Sequence, residues 1–453
     1  MTAHDPVITE LAEANPVSGE TSSDPGDRAE AERIMRRVLA GDQGPPPQRW
    51  RRSGLLAPVV SVVVVLAVAA VLLRTGGSSH GSPSSGGSPT ITLVAEPTSQ
   101  TPRITSSALT RELSLVRQRL ATVNRHFSVT RGRGNSLVIT VPGASAAQRA
   151  RLLALVTQTA QLTMYDWEAN VVAPNGRTVA QDLRTQSPAV IALSQGANRG
   201  AGQSGAGSLP LYDAVKLAAK QPPRALSPSM ARTGPEYYMF GAPGSPACAA
   251  AAAAAHTAPV PGTHCLLAGP LDLPGHISRQ RALQAFATQL SAGVSAAAGQ
   301  VLAVPQGTRV LQALAPEQVD AASPAAQFFV LRDDVALNGH DIVSPRRTAD
   351  ASGQSAVSFG LTAAGERLFQ ATTRAVARRG DEASTLGETL DQHFAIVLDS
   401  RLLTVPSIDF KQYPDGIQTT QADIAGGFTR QSAGDLATQL RYGALPLALR
   451  VVR

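Results

Sequence analysis

The chain has 453 residues, a net charge of +7 and only 4% aromatic side chains, so length allows two or three domains with a core of Ala, Val and Leu. Lysine occurs only at Lys216, Lys220 and Lys411, and the arginines that carry the charge are scattered. No basic cluster interleaved with aromatics is present, which argues against a nucleic-acid-binding protein.

Residues 1–53 begin with an acidic, Pro-containing stretch poor in large apolar side chains, a composition that predicts a disordered arm. Arg33, Arg36, Arg37, Arg49, Arg51 and Arg52 then lead into Gly54–Leu73, an uncharged run of twenty residues rich in Val, Leu and Ala. That is long enough to cross a bilayer as a helix. A cleaved signal peptide would have a shorter apolar core and a shorter leading segment, and Arg74 ends the run without a small-residue cleavage site. The arginine excess before residues 54–73 predicts a cytoplasmic N-terminus and an extracytoplasmic main domain. No second apolar run approaches eighteen residues, so the expectation is a single-pass protein of the cell membrane.

Residues 74–89 are rich in Gly, Ser and Pro and read as a flexible tether. Order is expected from the strand Ile91–Val94. Leu109, Leu113, Val116, Leu120 and Val123 then recur at helical spacing, with the arginines assigned to the opposite face. A turn at Arg131–Gly134, a strand at Ser136–Val141, a helix over Ser145–Gln158 and a strand over Gln161–Trp167 follow. Residues 168–235 are poor in periodicity. Gly200–Gly205 matches G-x-G-x-x-G, but without a strand, helix or acid in the right places it does not point to a dinucleotide site. Gly77–Gly81 matches G-x-S-x-G within the tether, outside any strand-turn-helix frame. In the alanine-rich residues 277–326 a helix is expected over Ser278–Ala298.

Near the C-terminus, Phe394–Asp399 and Leu402–Pro406 are apolar runs flanking the turn Asp399-Ser400. Thr429 is the expected N-cap of a helix whose Ala433, Leu436 and Leu440 share one face, and Gly443 is its expected left-handed C-cap. This string resembles the first extracytoplasmic domain of SecD, a subunit of the bacterial preprotein export machinery. The family pattern there is close to A-I-V-L-D-G, S-A-P-V-I, I-x-G-x-F-T-x-x-E-A and L-R-x-G-A-L-P. Ala395–Asp399, Thr404–Ile408, Ile424–Thr429 and Leu440–Pro446 hold those places in the same order. Val141-Pro142-Gly143 and Ala160–Tyr165 resemble the family's base, and Leu337–Ile342, Val357–Phe359 and Gly365–Thr372 resemble its head. Ser400 replaces the family's turn glycine, and Gln431-Ser432 replaces its acids, which weakens the expected capping box.

The resemblance implies an α+β fold: a ferredoxin-like split base with an inserted α+β head, preceded by one transmembrane helix. The base would begin at residues 90–168 and return at 428–453, with an insertion at 169–326 and the head at 327–427. It also implies a role at the export channel exit, holding unfolded secretory polypeptides by weak contacts, with the Sec translocon and SecF-like or other membrane subunits as partners. The family's proton-coupled membrane spans have no counterpart before Arg453, so the expected action is passive. Exposed strand edges and apolar grooves suit such binding. The candidate polypeptide-binding residues are Ile396, Leu398, Val405, Ile408, Leu368 and Phe369. The other reading is a relative repurposed as an envelope sensor or scaffold, with the cytoplasmic arm as its output.

Cys248 and Cys265, 17 apart (265 − 248), read most simply as a disulfide in an oxidising compartment. Free thiols, or a Cys₂His₂ zinc site with His256 and His264, are the alternatives, although the usual ligand spacings are missing. Asp391, His393, Asp399 and Ser400 invite an acid–base reading, but a strand end and a turn explain them as well. No catalytic, cofactor or metal residues are assigned, and enzymatic activity is not expected.

Overall fold

The computed structural model describes residues 90–453 except 99, 124–125, 185–206, 255–259, 274–276, 288, 291–293, 296–298, 315–322, 324, 351–352, 385–389 and 453. The expected arm, membrane helix and tether, and both glycine motifs, lie outside the described residues. Among the described residues no helix is long and apolar enough to cross a membrane.

The chain begins with β1 (Thr90–Glu96), α1 (Ser106–Ala121), β2 (Ser128–Arg131), β3 (Ser136–Thr140) and α2 (Ala146–Thr157). Thr105 caps α1 through the Ala108 amide, and Ser145 with Gln148 closes a capping box on α2. The apolar face of α1 packs with that of α2 over Leu93, Leu137, Ile139 and Val129. One helical assignment needs correcting. Arg119 is not on the solvent face of α1 with Arg111 and Arg117; it is fully buried, as is Glu112. The short strand β2, whose single inward side chain, Val129, precedes a glycine-containing turn, has no alternating apolar pattern to predict it.

β4 (Leu162–Asp166), α3 (Trp167–Asn170), β5 (Val171–Val172) and α4 (Val179–Leu183) come next, then β6 (Leu209–Pro210) and α5 (Leu211–Ala219). α5 buries Ala214, Val215 and Ala218 at helical spacing within a stretch read as aperiodic. A lobe follows from β7 (Glu236–Gly241), α6 (Pro246–Ala254), β8 (Cys265–Asp272), α7 (Arg279–Ala287) and β9 (Gly299–Val304), its sheet ordered β8-β7-β9. Of the helix expected over Ser278–Ala298, the structure shows α7 at Arg279–Ala287, and the chain from Gly299 pairs with β7. Cys248 on α6 and Cys265 on β8 are joined as a disulfide, with Cα atoms 5.6 Å apart.

The remainder comprises β10 (Thr308–Gln312), β11 (Gln327–Arg332), β12 (Leu337–Asn338), β13 (Ile342–Ala349), β14 (Ser355–Leu361) and α8 (Ala363–Ser384). After these come β15 (Gln392–Leu398), β16 (Arg401–Thr404), β17 (Ser407–Ile408), β18 (Gln421–Phe428), α9 (Arg430–Tyr442) and β19 (Ala448–Val451). Gly365 lets the first turn of α8 press onto the Asp341 carbonyl, which an added Cβ would meet at 2.5 Å.

β19 returns to the first sheet, which has the order β19-β1-β3-β2 and is antiparallel throughout. β4, expected to be a base strand, is not part of it. It pairs with β15 in a nine-stranded sheet of order β12-β4-β15-β16-β10-β11-β5, where β6 and β17 add at the side. α9 also departs from expectation. Its Ala433, Leu436, Ala437 and Leu440 enter the core beside β13-β14-β18, together with α8, rather than the core of the first sheet. The physical reason is burial on both faces: β4 has four consecutive buried residues, and the first sheet offers only one covered face.

Candidate functional site

The β15–β16 hairpin is the organising feature of the large sheet. Phe394 and Ile396 point into one core with α8, while Ala395 and Val397 point into the core on the opposite side. β4 pairs along one edge of β15 and β16 along the other. A continuous apolar run is the signature of such a strand.

The hairpin tip demands positive φ at two non-glycine residues, Asp399 (49°) and Ser400 (66°). Local hydrogen bonds hold them there. The Asp399 carboxylate accepts from the Thr159 hydroxyl and from the amides of Ala160 and Gln161, both at 2.8 Å. The Ser400 hydroxyl accepts from the Arg309 guanidinium at 2.9 Å. Arg309, 1% exposed, also donates to the Tyr165 hydroxyl at 2.8 Å and the Thr163 hydroxyl at 3.3 Å. Tyr165 passes its own proton towards Asp333 at 2.9 Å. Burial alone would lower the Arg309 pKa, but Tyr165 and Asp333 outweigh it and hold the guanidinium charged.

Beneath the hairpin tip, the two chain crossings between the first sheet and the rest meet. Arg119 donates to the carbonyls of Leu155 (3.2 Å), Gln158 (2.6 Å) and Thr159 (3.1 Å), and to that of Gly443 (2.7 Å). It thereby closes the C-terminal ends of α2 and α9 at once, where cations suit unpaired carbonyls. Burial lowers its pKa to about 10, against the pull of Asp399 and Glu112. Glu112 accepts the Leu447 amide at 3.0 Å, and burial raises its pKa to about 7 despite that bond and Arg119. At α9, Thr429 and Ser432 do form a capping box, a hydroxyl serving where the weakened pattern lacked an acid. Gly443 ends that helix at φ 79° and ψ −178°, a positive-φ glycine conformation but not the left-handed helical cap expected.

The acid–base candidates do not converge. His393 has its ring Nδ1 2.6 Å from buried Glu168, whose other oxygen accepts the His393 amide at 2.8 Å. Ser400 lies at the far end of the strand, seven residues along and so roughly 20 Å away. Next to His393, Arg379 of α8 pairs with Asp166, whose carboxyl pKa is raised by burial against the pull of Arg379. Among the described residues no group of His, Cys, Asp and Glu is arranged to hold a metal ion.

The candidate polypeptide-binding residues differ in exposure. Ile396, Val405, Ile408 and Phe369 are buried, and Leu398 is partly buried against the core of α8. Ile396, Leu398 and Ile408 lie on paired strands, Val405 just after β16 and Phe369 on α8, and only Leu398 among them is partly open. Leu368, 43% exposed on α8, is the one of the six that is exposed. The residues that sequence reasoning missed are the buried ions Arg309, Arg119, Glu112 and Glu168. Glu112 and Arg119 carried a legible signal, since each falls three residues from an apolar position of α1, on its buried face.

Residues 314–447 match the family "SecDF, P1 head subdomain". Over that segment the chain is similar to a SecD-type P1 head. The protein translocase subunit SecD of Rickettsia bellii is 30% identical over 125 residues, covering 28% of this chain and 21% of that protein. SecD of Acetobacter pasteurianus is 35% identical over 121 residues, covering 26% and 20%. The matches therefore span about a fifth of the length of these SecD relatives. A solved SecDF structure, described as a membrane component that enhances protein export, is 17% identical with a TM-score of 0.35, covering 80% of this chain and 98% of that one. A second, SecDF in its super-membrane-facing form, is 16% identical with a TM-score of 0.37, covering 86% and 33%.

Proposed function

We propose that this chain is a SecD-like, membrane-anchored extracytoplasmic accessory of Sec-dependent protein export. It binds translocating polypeptides or the translocon and has no enzymatic activity of its own. The observation that carries this reading is the P1 head match over residues 314–447, which runs through the large sheet, α8 and α9. In keeping with that reading, the first sheet supports a ferredoxin-like base: β1-α1-β2-β3-α2 and returning β19 follow the βαββαβ order, with the head and the disulfide lobe inserted before the last strand. Anchoring rests on the apolar run Gly54–Leu73, with the N-terminus cytoplasmic. Binding is passive, and SecF-like or other membrane subunits supply any coupling to the proton gradient.

In-cell photo-crosslinking from position 368 tests the reading, since Leu368 is exposed. Position 396 serves as a buried control. Adducts with many secreted precursors and with channel subunits are expected from 368 and not from 396. A single envelope partner without precursors would replace this reading with that of a sensor or scaffold.

A further inference from the structure

The first sheet ends on β2, whose register with β3 is unbroken from Ser128 opposite Thr140 to Arg131 opposite Leu137. In an antiparallel pair the N–H and C=O of one residue face the same way, and the direction alternates along the strand. The Gly132 amide donates inward to the Ser136 carbonyl at 2.8 Å, so the main-chain groups of Val129 and Arg131 face outward. The Val129 carbonyl receives the Arg117 guanidinium from α1 at 2.6 and 3.2 Å. The Val129 amide and both Arg131 groups meet no backbone partner among the described residues. Between this edge and α1 runs an open groove of about 560 Å³, floored by Ala121 and Phe127 and flanked by Arg117 and Gln118.

Two other outer strands, β13 and β8, carry obstacles to pairing. β13 has a register shift, Pro345 and a positive φ at Ser344; β8 contains Pro270 and slips register twice against β7. β2 has none of these. Its surroundings are strongly cationic: residues 97–165 contain nine arginines and a single acid, the buried Glu112. Arg117, Arg131 and Arg133 stand exposed around the groove.

We propose that the outer edge of β2 accepts an extended, acidic segment of polypeptide as an added strand of this sheet. Alternate apolar side chains of that segment enter the groove beneath α1, and its carboxylates meet Arg117, Arg131 and Arg133. Arg117, which holds the Val129 carbonyl in the absence of a neighbouring strand, yields that carbonyl to the incoming amide and pairs with a carboxylate instead. The partner is defined by this edge and its charge, so the inference does not depend on the export reading.

The test is fluorescence anisotropy of the full chain with a labelled decapeptide alternating Glu and Val. Two further probes are its Lys-Val counterpart and the same acidic peptide N-methylated at alternate residues. Saturable binding of the acidic peptide is expected, with both others weaker by about tenfold or more, the scale of one or two lost main-chain hydrogen bonds. Arg131→Pro removes an outward amide and is expected to weaken binding about tenfold; Arg131→Gln removes only charge and costs about threefold. Absence of saturable binding, equal binding of the N-methylated peptide, or equal binding of the lysine peptide each overturns the proposal. Should Arg131→Pro fail to fold by circular dichroism, the peptide pair decides on the natural chain.

Discussion

The first sheet with its helices, proposed above as a base, and the large sheet bury charge by different means. The base is assembled almost wholly from neighbours in sequence, β1 to α2, and one returning strand. Its buried ions, Glu112 and Arg119, sit on one helix and are satisfied largely by backbone groups of the crossing segments. The large sheet gathers strands from residue 162 to residue 408, and the terminal nitrogens of its buried Arg309 are bound by side chains from β4 and the hairpin tip. A backbone-bound ion locks a junction, whereas an ion bound by side chains of distant strands locks a register. The first can be weakened without changing which strands pair; the second cannot.

The largest effect that would break this distinction is expected at Arg309. Arg309→Ala leaves Tyr165, Asp333 and Ser400 without their cation and should cost about 3–5 kcal/mol, read as a lowered urea midpoint. Hydrogen exchange should rise along β4, β15 and β16 while β1 and β3 stay protected. Uniform loss of protection over both regions would erase the difference between junction and register.

The disulfide lobe is expected to respond next. Replacing Cys248 and Cys265 by Ser opens a closure of 17 residues and should cost about 3 kcal/mol, concentrated in β7, β8 and β9. Limited proteolysis would then cut this lobe first. Cleavage spreading equally into the base would mean that the lobe is not a separate region of stability.

A smaller effect sharpens the view of the base. Burial raises the Glu112 pKa from 4.5 to about 7, so the folded state keeps a proton that the unfolded chain has already lost. Its favourable contribution is full below pH 4.5, declines as pH rises to about 7 and is gone above that. Glu112→Gln, which still offers an oxygen to the Leu447 amide, should flatten that decline and gain about 1–3 kcal/mol at pH 8. Urea titrations at pH 5 and pH 8 check it. An unchanged difference between the two would show that Glu112 does not carry the pH dependence of the base.

Much of the local structure was legible. The helices at Ser106–Ala121 and Ala146–Thr157 declare themselves through apolar spacing and Thr and Ser caps, and the family strings from Ala395 to Pro446 lie within the region that matches the P1 head. The candidate site was legible only as a segment. Phe394–Leu398 was read as an apolar strand available for binding, but the same apolar run marks a strand buried on both faces. The helix expected over Ser278–Ala298 is found at Arg279–Ala287, and the Gly299–Val304 strand beyond it, which pairs with β7, had no sequence signal of its own.

The sequence by itself determined where α1, α2 and α9 lie, which cysteines were available to pair and which segments carry the SecD-type pattern, because capping, periodicity and composition act over a few neighbouring residues. Only the tertiary structure decided that β4 joins the large sheet rather than the first, that α9 packs beside β13, and that Arg119 and Arg309 lie inside. Those outcomes depend on which surface covers a segment's second face and on which distant groups can satisfy a buried charge. Neither is encoded in any short window of the chain.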